Sequence, residues 1–230
     1  MSGTDELQGI HEKTRQAYNL AAQKYHDLFH NEMNEKEYDR RLLDLFASGF
    51  AADSLVLDAG CGPSAHIGRY VADKGIPVVG VDISDDCIEL ARRVNPGLRF
   101  ERGDIARLEF PDETFDGVIA YYSIIHTPKR HLGRVFGEFR RVLKPGGSLL
   151  VAVKAGSGDG YLSELLGIET VIYFSLFSVA EISGFFDQAG FALEFLEKRN
   201  PYDFEISNER IFAIGRRTGK MHERNNGKIL

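Results

Sequence analysis

The residues best placed to do chemistry stand where an aliphatic run, Leu55-Val56-Leu57, meets an acid and then two glycines flanking one residue, Asp58-Ala59-Gly60-Cys61-Gly62. Such a run reads as a buried parallel strand emptying into a tight turn at a helix start, the place where α/β sheets bind nucleotide-like ligands. Gly60 and Gly62 lack a Cβ, so backbone there can approach a ligand closely and take positive φ at little cost. A dinucleotide fold aims free helix N–H groups at a pyrophosphate, and the Asp58 carboxylate would repel that anion. A ligand carrying positive charge, or several hydroxyl and amine donors, fits the turn better.

Four further signals follow in order. Val78-Val79-Gly80-Val81-Asp82-Ile83 is a second apolar run ending in an acid, at about the spacing where such sheets place a ribose-binding carboxylate. Arg102-Gly103-Asp104-Ile105 supplies a third acid, and Phe115–Ala120 and Leu143–Leu150, with its Pro145-Gly146-Gly147 turn, complete the series. Singly, each has a plainer reading: turn glycines, or a helix start where Ser84, Asp85 and Asp86 offset the dipole. Together they resemble the class I (Rossmann-like) S-adenosylmethionine-dependent methyltransferases, small-molecule branch, over roughly residues 14–217.

The resemblance implies that Gly60 and Gly62 line the methionine part of S-adenosylmethionine, with Asp58 acting through the loop and the methionine amino end. It implies that Asp82, with Ile83 beside it, takes the ribose hydroxyls, and that Asp104 and Ile105 meet the adenine. Ser64 stands where many members carry a third glycine, which implies a slightly altered loop or an extra hydroxyl contact. The family's N-terminal helix folds over the cofactor as a lid, which would bring Tyr18 or Tyr25 near the methionine carboxylate; packing on the sheet is the other reading of that stripe.

A transfer residue belongs over the end of the fourth strand, where the chain reads Tyr121-Tyr122-Ser123-Ile124-Ile125-His126-Thr127-Pro128. Thr127 and Pro128 suit an N-cap and first helical position, leaving His126 in the preceding loop as a candidate base, or as a residue that orients another group. Of Tyr121 and Tyr122, which alternate faces, one lines the pocket, Tyr121 being assigned to the cofactor set, and the other is core. Arg199, Tyr202 and Arg210 could reach an acceptor carboxylate, although a solvated surface is the better reading for them. Gly60, Gly62 and Ala65 also satisfy the G-x-G-x-x-A dinucleotide pattern, so an NAD(P)-dependent oxidoreductase remains an alternative, as does a non-catalytic S-adenosylmethionine-binding protein.

The elements that must hold these residues alternate. Strands are expected near 54–58, 77–82, 98–101, 115–120 and 148–153, and helices near 65–74, 84–94 and 129–142. That alternation predicts an α/β, doubly wound parallel sheet, and the resemblance implies a seven-stranded, mostly parallel sheet closed by the family's antiparallel C-terminal hairpin at Phe191–Glu197 and Arg210–Ile214. Residues 1–13 read as loose; Tyr18, Ala21, Ala22, Tyr25 and Phe29 form one helical stripe, and a second helix spans about Lys36–Phe46. Residues 1–50 are thus expected to form a helical lid and 51–217 the methyltransferase core. The resemblance implies that 155–177, with Tyr161, Tyr173, Phe174 and Phe177, is a substrate-cap insertion, although an aromatic run is more often core, and 218–230 reads as a flexible tail.

The 230 residues, 43% hydrophobic, suit one α/β domain with additions. A net charge of −6 gives no bulk attraction to nucleic acid or anionic membrane, and no long apolar run or export signal is visible. Two cysteines argue against a disulfide framework and fit a cytoplasmic protein, and no Cys/His cluster or acidic set has metal-ligand spacing. The absence of Asn-Pro-Pro-Tyr after the fourth strand lowers the odds of base-nitrogen or glutamine-amide methylation. The expectation is methyl transfer to an oxygen or nitrogen of a small-molecule acceptor, with the oligomeric state open.

Overall fold

The computed structural model describes residues 3–219. Its centre is a seven-stranded sheet built from β1 (Val56–Ala59), β2 (Val78–Asp82), β3 (Arg99–Arg102), β4 (Phe115–Tyr121), β5 (Leu143–Lys154), β8 (Phe191–Arg199) and β9 (Arg210–Arg217). The spatial order is β3-β2-β1-β4-β5-β9-β8; the first five strands are parallel, and β9 runs antiparallel to both neighbours. The expected fold class is therefore the observed one. Because the chain winds from β1 through β2 to β3 on one side and then crosses to β4 on the other side of β1, the strand order reverses between β1 and β4, and α/β sheets open a crevice at such a point.

Alternation along the strands splits the core into two layers. Val118, Ala120, Leu149 and Val151 face one layer with Phe115, Phe136, Phe139 and Phe186, while Ile119, Tyr121, Leu150 and Ala152 face another with Leu43, Phe46, Val71 and Phe212. Fully burying one such large side chain stabilises by roughly 1.5–3 kcal/mol, so the two layers hold the sheet ends in register. Helices α2 (Glu37–Ala47) and α3 (His66–Ala72) contribute to the second layer, and α5 (Leu132–Val142) and α6 (Val179–Gln188) to the first. Helix α4 (Asp85–Val94) starts where expected, Ser84 accepting from the Cys87 N–H with Asp85 and Asp86 in the first turn. The capping box read at Ser178 and Glu181 opens α6.

Three expectations are corrected. Residues 1–13 are not loose within the described range: α1 runs unbroken over Gly3–Phe29, because Leu7, Ile10, Thr14 and Ala17 extend the buried stripe backwards at helical spacing. Thr127 is not the N-cap of a helix but closes the preceding 3-10 turn. The chain makes 3-10 turns at Ile124–His126 and Lys129–His131, and α5 begins only at Leu132. Pro145-Gly146-Gly147 lies inside β5 as a register shift rather than ahead of it, with Gly146 at φ +78. Residues 155–177 fold as a separate hairpin of β6 (Asp159–Leu165) and β7 (Ile168–Ser175). The tail beyond 219 lies outside the described residues.

Candidate functional site

A cavity of about 830 Å³, counting its open mouth, lies at the carboxyl ends of β1, β2 and β4. All eleven sequence-derived candidates line it: Tyr18, Tyr25, Asp58, Gly60, Gly62, Asp82, Ile83, Asp104, Ile105, Tyr121 and His126. Its floor is the glycine turn. Gly60 and Gly62 adopt φ of +83° and +64°, and a Cβ on Gly60 would fall 2.2 Å from the Ser123 Cβ, so only glycine lets the β4 loop close over this turn.

The strand-end acids hold backbone together. The Asp58 carboxylate accepts from the Gly68 N–H at 3.0 Å, and burial pushes its pKa up to about 7. Asp82 accepts from the N–H groups of Gly62 and Ser84, each at 2.9 Å; burial raises its pKa, and these donors oppose the rise. One carboxylate thereby sets the glycine turn and the start of α4 together. Ser64 does not turn to the cavity: its hydroxyl meets His26 Nδ1 at 3.1 Å, tying the loop to α1.

Helix α1 crosses the opposite wall. Its His11 bonds Asp104 through Nδ1 at 2.8 Å and Thr127 Oγ1 through Nε2 at 3.2 Å. Burial raises the Asp104 pKa, but the bond and charge of His11 outweigh it and hold the carboxyl below its ordinary value. Two turns further along α1, the Tyr18 hydroxyl stands 2.9 Å from His126 Nε2, while His126 Nδ1 stands 2.8 Å from the Tyr173 carbonyl. A carbonyl only accepts, so Nδ1 carries the hydrogen and Nε2 accepts from Tyr18. Burial drives the His126 pKa down to about 4, so the ring is neutral near pH 7.

Both Tyr121 and Tyr122 reach the cavity wall, where one was expected to be core. The Tyr121 hydroxyl donates to Asp39 at 2.5 Å. Tyr122 has φ +56°, a conformation that strains a bulky residue by about 1–3 kcal/mol. That kink carries Ser123 across Gly60. Three buried polar atoms on the cavity-lining residues have no hydrogen-bond partner: the Tyr122 hydroxyl, the Ser123 hydroxyl and His66 Nδ1. Unsatisfied buried groups cost about 1–3 kcal/mol each, and a polar ligand in the cavity could supply what they lack.

His11, Thr14, Glu32, His66, Ser123 and Thr127 also line the cavity and were missed as site residues. Leu7 and Ile10 ahead of His11 were the available signal, since they continue the helical stripe. For Glu32 and His66, which pair at 2.8 Å across the chain, no local pattern exists. Nor are the arginines of the last hairpin a solvated surface: Arg210 is buried, and Arg199 pairs with buried Asp39 and Glu205. Among the described residues no group of three His, Cys, Asp or Glu side chains is placed to hold a metal ion, and no helix is long and apolar enough to cross a membrane.

An acid-tipped glycine turn at the switch point of this seven-stranded sheet defines the class I methyltransferase fold. Residues 56–147, about two fifths of the chain, match the family described as a methyltransferase domain. It is similar to the sterol 24-C-methyltransferase erg-4 of Neurospora crassa, 38% identical over 109 residues covering 44% of this chain and 27% of the relative. It is also similar to the malonyl-[acyl-carrier protein] O-methyltransferase of Pectobacterium atrosepticum, 37% identical over 110 residues covering 48% of this chain and 41% of the relative. These matches therefore span well under half of the relatives' own length. Among solved structures, the DhpI–SAH complex shares the fold with a TM-score of 0.73 at 19% identity, covering 93% of this chain and 99% of that one.

Proposed function

We propose that this protein transfers a methyl group from S-adenosylmethionine to an oxygen or nitrogen of a small-molecule acceptor, chiefly by alignment and exclusion of water. One observation carries the reading. The cavity is lined by Asp58, Asp82, Asp104 and Glu32, with no Lys or Arg among its described lining residues. Acids around a glycine turn with no lining Lys or Arg to neutralise an anion disfavour a pyrophosphate and favour a ligand rich in hydroxyl and amine donors, which weighs against the nicotinamide alternative. The donor set fits S-adenosylmethionine, with Asp82 and Ile83 for the ribose, Asp104 and Ile105 for the adenine, and the Gly60–Gly62 turn with Asp58 for the methionine end. The unpartnered Ser123 and Tyr122 hydroxyls give that ligand further bonds.

When bound, the cofactor supplies an already activated methyl group, so the protein need only orient the acceptor and keep water out. Tyr18 and Tyr25 on α1 wall the cavity, and residues 1–50 serve as its lid and 155–177 as the acceptor cap. His126 is a weak base by virtue of its burial. A hydroxyl or amine becomes strongly acidic as its new bond to carbon forms, and the proton it sheds passes to Nε2 of His126 directly or through the Tyr18 hydroxyl. Two free, buried cysteines suit a reducing cytoplasm.

Calorimetry with S-adenosylhomocysteine and with NAD tests the ligand. Micromolar binding of the former and none of the latter is expected, and the reverse would replace methyl transfer by hydride transfer. Methylation of a metabolite extract separates an enzyme from a protein that only holds the cofactor.

A further inference from the structure

Beyond Tyr122 lies a set of charges that methyl transfer as such does not require. Lys36 pairs with Glu32 at 2.8 Å and Glu205 at 3.0 Å, and Arg199 pairs with Asp39 at 2.9 Å and Glu205 at 2.8 Å. Arg210 approaches the same Glu205 at 3.7 Å. Lys154, the last residue of β5, is the exception: among the described residues no carboxylate lies within ion-pair distance of it, and its ammonium sits 5.2 Å from the centroid of the Phe174 ring. Four cations thus meet three carboxylates. The carboxylates are already engaged by the other three cations, so the excess charge falls on Lys154.

The place of this cation matters as much as its lack of a partner. The Phe174 ring lies edge-on to His126, with centroids 6.1 Å apart, and the Lys154 charge itself acts on His126. On the other side, the Lys36 ammonium stands 6.0 Å from the ring of Tyr122, whose hydroxyl is buried and unbonded. Lys154 is not itself among the residues lining the cavity; it stands behind the lining residue His126, across the Phe174 ring, where an anionic group of an acceptor reaching past His126 would meet it. A cation held partly out of water without a counter-ion is costly, and an anion arriving with the substrate relieves that cost.

We propose that Lys154 binds an anionic group of the methyl acceptor, a carboxylate or a phosphate-type oxyanion, so that the substrate class is small organic anions. The inference rests on the methyl-transfer reading given above. Burial, then the neighbouring Arg210 and Lys36, pull the Lys154 pKa down to about 8, with Glu205 opposing them. An anion seated at the ammonium reverses that pull.

The test uses the full chain saturated with S-adenosylhomocysteine and labelled with ¹³C at the lysine ε-carbons, with the Lys154 signal assigned by its loss in Lys154→Met. Acetate and inorganic phosphate, added at constant ionic strength, are expected to move that signal saturably and to raise its titration midpoint by about one pH unit or more. The anion that saturates at lower concentration distinguishes carboxylate from phosphate recognition. A signal unmoved by both overturns the proposal.

In a second arm, a metabolite extract fractionated by anion exchange is treated with the protein and methyl-labelled S-adenosylmethionine. Label is expected in the retained, anionic fractions. Lys154→Met should raise KM for that acceptor about tenfold or more, with a smaller change in kcat and unchanged S-adenosylhomocysteine affinity, and Lys154→Arg should restore part of the loss. Label confined to neutral or cationic fractions overturns the anion assignment while methyl transfer stands. Failure to bind S-adenosylhomocysteine removes both.

Discussion

At the scale of single residues, the site depends on acids that serve backbone and ligand at once. Each Asp82 oxygen has one lone pair engaged by backbone, which leaves acceptor capacity for sugar hydroxyls. Asp82→Ala is expected to weaken S-adenosylhomocysteine binding by about 10–100-fold in calorimetry, the range for losing a charge-assisted bond. Unchanged affinity would show that the sugar lies elsewhere. For His126, a folded pKa of about 4 against an ordinary 6.5 means that between those pH values the unfolded chain takes up a proton the folded ring refuses. Its contribution is therefore present above pH 6.5 and lost as pH falls toward 4. Asp58, raised to about 7, acts with the opposite sign in much the same window, so only a comparison of variants isolates the histidine. Urea unfolding should find His126→Asn less stable by about 1–2 kcal/mol at pH 7.5, and by clearly less at pH 4.5, where the wild type alone bears the protonation penalty.

At the scale of elements, the glycine turn and α1 are the parts whose fit decides the cavity. Gly60→Ala places a Cβ against Ser123 at a positive φ and should cost about 3 kcal/mol or more, read as a lowered urea midpoint. Helix α1 is tied to the core through three histidine contacts: His11 to Asp104, Tyr18 to His126 and His26 to Ser64. If it is a lid, saturating S-adenosylhomocysteine should slow amide exchange over residues 11–25 more than in α6, which lines no part of the cavity. Equal protection in both helices would make α1 a fixed wall. The strand ends and their acids were legible because hydrophobic runs and glycines are local signals. The start of α1 was not, since its buried stripe is interrupted by charges that lie on the outer face.

Over the whole molecule, ligand binding and stability are one equilibrium. At about 100 times its Kd a ligand adds about 2.7 kcal/mol, which for a chain of this size is a rise of roughly 5–10 °C in Tm. S-adenosylhomocysteine should produce that shift in a thermal melt, and NAD should not. The order of strand-end acids and the acidic glycine turn were enough to determine the fold class, the crevice and the kind of ligand, because each is written within a few consecutive residues and repeats at the pitch of a strand–helix unit. Only the tertiary structure decided that Tyr18 caps the Nε2 of His126, that His11 holds Asp104, and that among the described residues Lys154 has no counter-ion beside three paired cations. The first two outcomes join residues 93 and 108 positions apart, and a charge's partners are fixed by where the fold brings other charges, which local spacing does not encode.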